Sequence, residues 1–198
     1  MDDRLFQLKI QLHGSKPPIW RRFIVPSCIT LHDLHLVIQS VMGWYDCHLY
    51  EFDVGMDSIE GDPDTFKKEV KSNSFRLNEF INEEGSKFFY VYDFGDDWDH
   101  VLLLEDCNYI NPKIKSDVYC LKGRRACPPE DSGGIYHYSH ICKVLNNPDS
   151  PGYEEYEDMY GDIDEKAFDI ETVNMRLKSW IPWYKEGYIK WKRRICRS

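Results

Sequence analysis

Apolar and polar residues alternate from Leu5 to Leu12, with Leu8, Ile10 and Leu12 on one side and Gln7, Lys9 and Gln11 on the other. A period of two predicts a strand with one buried face. The segment His13-Gly14-Ser15-Lys16-Pro17-Pro18 breaks the pattern, which resumes from Ile19 to Val25 and closes at Pro26. Proline cannot donate to a central ladder, so Pro17 and Pro18 belong to a turn or an edge, and the two runs form a hairpin with a longer loop. The period then changes to that of a helix. Leu31, Leu34, Ile38, Val41 and Met42 recur three and four apart, which places them on one helical face. Thr30 is the expected cap, Asp33 sits at the reciprocal position, and Gly43 is the expected stop. From His48 to Val54 the alternation returns as a third strand. Hairpin, helix and strand in that order make a β-grasp-like opening.

Gly55 to Ser74 is polar and reads as a loop, and Arg76 to Glu83 as a short helix. The chain is then organised around Tyr90 to Glu105, two apolar arms about Gly95, which predict a central antiparallel hairpin of strands 87–94 and 98–105. A short strand is expected at Val118–Gly123, followed by a loop to Gly134 that is rich in Pro and Gly. The last third reads as helical: Tyr136–Leu145, then a helix opened by Ser150-Pro151 and running through Tyr160, then Ile170, Val173, Leu177 and Trp180 as the stripe of a third, stopped by Pro182. The expected fold is α+β, in a mixed or antiparallel sheet of about five strands. It forms a single domain over residues 1–180, with a basic, aromatic extension at 181–198.

Composition adds two constraints. With 198 residues, 42% hydrophobic and 15% aromatic, the chain has the material for one well-formed core. The net charge is -9, yet the segment Lys178–Ser198 carries seven basic residues and one acid. An acidic body argues against a protein that simply coats nucleic acid. The tail remains a possible nucleic-acid contact through Lys190, Lys192, Arg193 and Arg194. It reads equally as a docked segment whose aromatics cover the core. No apolar run approaches membrane-spanning length, so no membrane is expected. The N-terminus has no signal-peptide pattern, and the seven cysteines are scattered. Together these predict reduced thiols and a cytoplasmic location.

The residues able to do chemistry concentrate at the hairpin. Asp93, Asp96, Asp97 and Asp99 bracket Gly95. Clustered carboxylates repel one another, and a divalent metal would relieve that, with Asp93, Asp97 and His100 as the expected ligands. Asp and Gly also make ordinary solvent-facing turns, with Phe94 and Trp98 as core residues. His48 and His100 can converge with a carboxylate such as Glu51 if their strands approach. Arg124, Arg125, Glu130 and Asp131 lie on the loop that ends at Gly133-Gly134, where free backbone N–H groups before a helix can hold an anion. The same loop can be a self-satisfied ion-pair network. Arg22, taken as inward-facing, needs an acidic partner, and the hairpin aspartates are the expected ones. Cys120, Cys127 and Cys142, with His137 and His140 nearby, include no short-spaced pair, so small buried hydrophobes describe them better than a zinc site.

Several long motifs occur in a characteristic order. The first set is Lys16-Pro17-Pro18-Ile19-Trp20-Arg21-Arg22, Leu31-His32-Asp33-Leu34-His35 and Gly43-Trp44-Tyr45-Asp46-Cys47-His48-Leu49-Tyr50-Glu51-Phe52. The second is Tyr92 to His100, Gly123-Arg124-Arg125-Ala126-Cys127-Pro128-Pro129-Glu130-Asp131 and Gly133-Gly134. Together they resemble the plasmid pRiA4b ORF-three-like family over about Leu5 to Leu177. The resemblance implies a single α+β domain of a kind often carried on plasmids and other mobile elements, and it brings no reaction with it. Some relatives are labelled transposon resolvases, but this chain has no serine set among arginines in a matching motif. It also departs from the family pattern at Ser132, where many relatives have Cys.

The sequence therefore predicts a binding or interaction module. A cleft between the acidic hairpin, the 124–134 loop and the His48 strand would take a ligand or protein partner. Trp98 is counted among the cleft residues. Two alternatives stand beside it. One is a divalent-metal-assisted hydrolase acting on a phosphodiester, with Arg124 or Arg125 neutralising the phosphate. The other is a nucleic-acid-binding accessory protein using the tail.

Overall fold

Among the described residues, seven antiparallel strands form the sheet, in the order β4-β3-β5-β6-β1-β2-β7. The strands are β1 (Leu5–Leu12), β2 (Trp20–Pro26), β3 (Tyr50–Asp53), β4 (Ser58–Gly61), β5 (Lys87–Tyr92), β6 (Trp98–Asp106) and β7 (Tyr119–Arg124). The helices among the described residues are α1 (Leu31–Met42), α2 (Leu77–Phe80), α3 (Gly134–Leu145), α4 (Tyr153–Tyr160) and α5 (Ile170–Trp180). The structure, a computed structural model, describes residues 4–55, 58–61, 74–110, 114, 116–161, 163–182, 184, 187–188 and 190. The fold is α+β in one domain, with its helices gathered toward the C-terminus.

The period-two pattern of β1 appears directly in its burial, with Phe6, Leu8, Ile10 and Leu12 all inside. Their cross-strand neighbours on β6 are Leu104, Leu102 and His100, and those on β5 and β3 are Phe88, Tyr90, Tyr92, Tyr50 and Phe52. All are buried. One face of the sheet is thus apolar and aromatic, and α1 and α5 pack over it. The other face carries Lys9, Arg22, Glu105 and Phe89 and meets solvent, as antiparallel sheets often do. Hairpin, helix and strand follow in the expected order, with β5 and β6 lying between β3 and the opening hairpin.

Helix α1 begins as the sequence predicts. The Thr30 hydroxyl oxygen accepts from the Asp33 N–H at 3.1 Å, and Gly43 ends the helix in the left-handed region (φ 119°) with its N–H on the Gln39 carbonyl. The chain after α5 reaches back to this cap. The buried Tyr188 hydroxyl donates to Asp33 at 2.8 Å and accepts from the Thr30 N–H at 3.0 Å. Ile181 is buried as well. Lys190 is exposed, whereas Lys192, Arg193 and Arg194 lie outside the described residues.

Several expectations are corrected. The third strand is shorter than 48–54, which leaves His48 in the preceding loop. Strand β4 forms inside the polar 55–74 stretch because one apolar residue, Ile59, suffices for an edge strand on β3. Ser150 and Pro151 form a turn instead of a cap, with the Tyr153 N–H on the Ser150 carbonyl, and α4 starts after Gly152 at φ 80°. Arg21, not Arg22, faces inward. Its Nε donates to the Val41 carbonyl at 3.0 Å and its Nη1 to the carbonyls of Trp20 and Arg124, so a buried cation is satisfied by backbone oxygens that include one from the last turn of α1. Arg22 sits on the open face and pairs with Glu105 of β6, not with the turn aspartates.

Candidate functional site

The turn between β5 and β6 is built by its aspartates. Asp93 and Asp97 both hold positive φ, 60° and 49°, a conformation Asp tolerates better than most residues. The Asp93 carboxylate accepts from the Gly95 N–H at 2.9 Å, and the Asp97 N–H donates to the Asp93 carbonyl at 2.7 Å. The tight turn aims the Asp96 carboxylate outward to accept the Gly133 N–H at 2.9 Å, at the start of α3. A helix N-terminus leaves N–H groups without partners, and here one of the two open readings of the Gly133-Gly134 segment is met from within: the anion at the Gly133 N–H is a side chain of the same protein. Gly134 makes this close approach possible. A Cβ there would lie 2.5 Å from the Asp96 carbonyl oxygen.

Docking the turn on the 125–133 loop brings three chain segments together. His48 Nε2 lies 3.2 Å from Asp131 Oδ1 and 3.7 Å from Asp93 Oδ2. Among the described residues, these three form the group of donors close enough to share a metal ion, their ligand atoms all within 4.8 Å of one another. The His48 Nε2 atom is buried and makes no hydrogen bond. Asp93 is 8% exposed and Asp131 is open to solvent. Among the described residues, no Lys or Arg pairs with either carboxylate.

The loop carrying His48 is held from both sides. Glu130 accepts at one oxygen from the Tyr45 N–H at 2.9 Å and from the Tyr92 hydroxyl at 2.7 Å. The Tyr92 oxygen in turn accepts from the Cys47 N–H at 2.9 Å. Trp44 donates from its indole to the Pro128 carbonyl. Arg176 of α5 donates to the carbonyls of Gly43 and Trp44. From below, Asp46 (φ 59°) meets the fully buried His35, whose Nε2 is 2.6 Å from the carboxylate and whose Nδ1 is 2.8 Å from the Tyr90 hydroxyl. The Asp46 N–H donates to Gln39, and His35 stacks on Tyr50 at 3.6 Å between ring centroids. Burial lowers the His35 pKa, with Asp46 opposing. Burial, then the Glu130 hydrogen bond, raises the Tyr92 pKa, so this phenol stays protonated and keeps donating.

The expected ligand set of Asp93, Asp97 and His100 is not brought together. Alternation puts His100 on the helix-covered face, beside Trp44 and Tyr90, and burial pushes its pKa down to about 3. It is a neutral core residue and does not converge with His48. Asp97 is exposed, and Glu51 lies on the opposite face of β3 from Tyr50 and Phe52. Trp98 is wholly buried. Arg124 is exposed at the end of β7, and Arg125 pairs with Glu165 at 3.5 Å. Buried Ser132 donates to the Pro129 carbonyl at 2.7 Å, so its hydroxyl braces the loop. The six described cysteines are free thiols, and burial raises the pKa of Cys120 and Cys127, which suits small apolar fillers. The supporting set of His35, Gln39, Asp46, Tyr90 and Tyr92 was missed. Its signal was a His and a Gln four apart on the buried side of α1.

The segments that meet at the cluster are the same ones that carry the family resemblance, and the family model described as plasmid pRiA4b ORF-3-like protein matches residues 4–176. The chain belongs to the plasmid pRiA4b ORF-3-like family. Within it, the chain is 34% identical over 178 residues to the uncharacterized protein y4hQ of Sinorhizobium fredii (strain NBRC 101917 / NGR234), covering 85% of this chain and 88% of that one. A crystal structure of a protein of unknown function, MM3350 from Methanosarcina mazei Go1, is 32% identical, with a TM-score of 0.74 over 86% of this chain and 98% of the other. The two chains therefore share their fold over most of their lengths. Among the described residues, no helix is long and apolar enough to cross a membrane.

Proposed function

We propose that this chain is a divalent-cation-binding module whose ligands are His48 Nε2, Asp93 and Asp131. The observation that carries the reading is the meeting of an unbonded, buried imidazole nitrogen with two carboxylates from three separate segments. Ligand atoms bound to one first-row cation at about 2.1 Å each lie up to about 4.2 Å apart, and the His48 distances of 3.2 and 3.7 Å are within that range. Two carboxylates and a neutral imidazole balance a 2+ ion. The mixed N/O set favours zinc, manganese or iron(II) over calcium. Three protein ligands leave coordination positions open for water or for an acidic group of a partner. The double clamp on residues 44–48 holds the imidazole in place before any ion arrives, the preorganisation a binding site requires. The phosphodiesterase alternative required Arg124 or Arg125 beside the cation, and their positions at the end of β7 and against Glu165 favour binding over that reaction.

The test is elemental analysis of protein purified without chelator or metal-affinity resin, followed by calorimetric titration of the stripped protein with Zn²⁺ and Mn²⁺. Stoichiometric binding is expected, weakened at least about tenfold in Asp93→Asn with the far-UV spectrum unchanged. Equal affinity in wild type, Asp93→Asn and His48→Gln would sink the proposal.

A further inference from the structure

Away from the His48 cluster, a cavity of about 420 Å³ lies between the β1–β2 turn, the start of the 125–133 loop and α3. It shares no residue with the His48 cluster. Its size is that of a small-molecule pocket. Two polar atoms on its wall are buried: Arg125 Nε, which makes no hydrogen bond, and the Tyr138 hydroxyl, whose neighbour is the weakly bonding Cys142 thiol; Tyr138 is only 4% exposed. Unbonded buried polar groups are uncommon in folded proteins and call for a cause. At the rim stand Lys16 and Lys143, both exposed, and among the described residues neither pairs with a carboxylate. One acid, Glu165, lines the same cavity and engages Arg125. Three cations therefore face one carboxylate, in a chain whose net charge is -9. Guanidinium and ammonium groups donate hydrogen bonds and cannot accept them. A ligand that satisfies this wall must be rich in acceptors, and the side chain of Ile135 offers its body an apolar surface.

We infer that this cavity is a binding site for a small organic oxyanion, a carboxylate or phosphate monoester with an apolar body. The negative head sits between Arg125, Tyr138 and the two lysines. The site is separate from the cation cluster and stands whether or not a metal binds there.

The experiment is calorimetric titration of the full chain with phenyl phosphate, with benzoate and with benzyl alcohol as the neutral control. Saturable binding of one or both anions and none of the alcohol is expected, and the tighter anion identifies the head group. Lys143→Gln removes a surface charge without touching the core and should weaken binding about tenfold. Tyr138→Phe removes a hydroxyl whose protein partner is a thiol, a weak one, so the variant should fold and still lose affinity. Absence of binding by both anions, equal binding of the alcohol, or unchanged affinity in both variants would overturn the inference.

Discussion

Lowering the pH should weaken this fold through His100, beginning above the range in which ordinary carboxylates titrate. The imidazole is 1% exposed. Its Nδ1 has a long contact of 3.3 Å to the Tyr90 carbonyl, and its Nε2 has no partner. Burial therefore opposes the charged form, lowering the pKa from 6.5 to about 3. Above pH 6.5 the folded and unfolded chains both carry a neutral ring, and the stability it permits is fully present. Between 6.5 and about 3 the unfolded chain takes up a proton that the folded chain refuses, so stability falls with pH. Below about 3 both states are protonated and this contribution changes no further. At 1.36 kcal/mol per pH unit, moving from pH 7 to pH 5 costs about 2 kcal/mol. That is a large share of a typical 5–15 kcal/mol total. His35 is also buried with a lowered pKa and acts in the same direction, so the measurement needs a reference that removes His100 alone. Urea unfolding at pH 7 and pH 5, followed by circular dichroism, should show wild type losing about 2 kcal/mol more than His100→Gln. The same loss in both proteins would refute the assignment of acid sensitivity to this ring.

Two further predictions concern how the cluster is held. Gly134→Ala places a Cβ 2.5 Å from the Asp96 carbonyl at a φ of +74°, so chemical denaturation should show a loss of about 2 kcal/mol or more, and cation affinity should fall because Asp131 moves with the loop. A loss under about 0.5 kcal/mol would mean that the turn and α3 are not in the contact described. Tyr92→Phe leaves a Glu130 oxygen and the Cys47 N–H each short of one partner, for an expected cost of about 1–3 kcal/mol in urea titration. Unchanged stability and unchanged cation affinity together would show that the Tyr92 bridge does not position His48.

What the sequence determined by itself is whatever depends on near neighbours. The alternation at Leu8, Ile10 and Leu12 specified β1 and its buried face, because period two and pleat are the same geometry. Thr30, Asp33 and Gly43 bounded α1, because capping is decided within one turn of helix. The motif order was enough to point to the family. The residues of the cluster were likewise visible as chemistry: His48, Asp93 and Asp131 all stood out in the chain. Their grouping did not, because a ligand set depends on which loops dock. That docking rests on the Asp96–Gly133 hydrogen bond and on the space at Gly134, contacts between residues far apart in the chain. Direction was the other thing tertiary structure decided. Alternation told Arg21 from Arg22 and His100 from Asp99, but not which side of the sheet the helices would cover. Once α1 and α5 pack on one face, Arg21 finds the Val41 carbonyl, His100 becomes core, and Arg22 is left on the open face with Glu105. One choice of face, made by packing and not by any local residue, separated the ligands from the core.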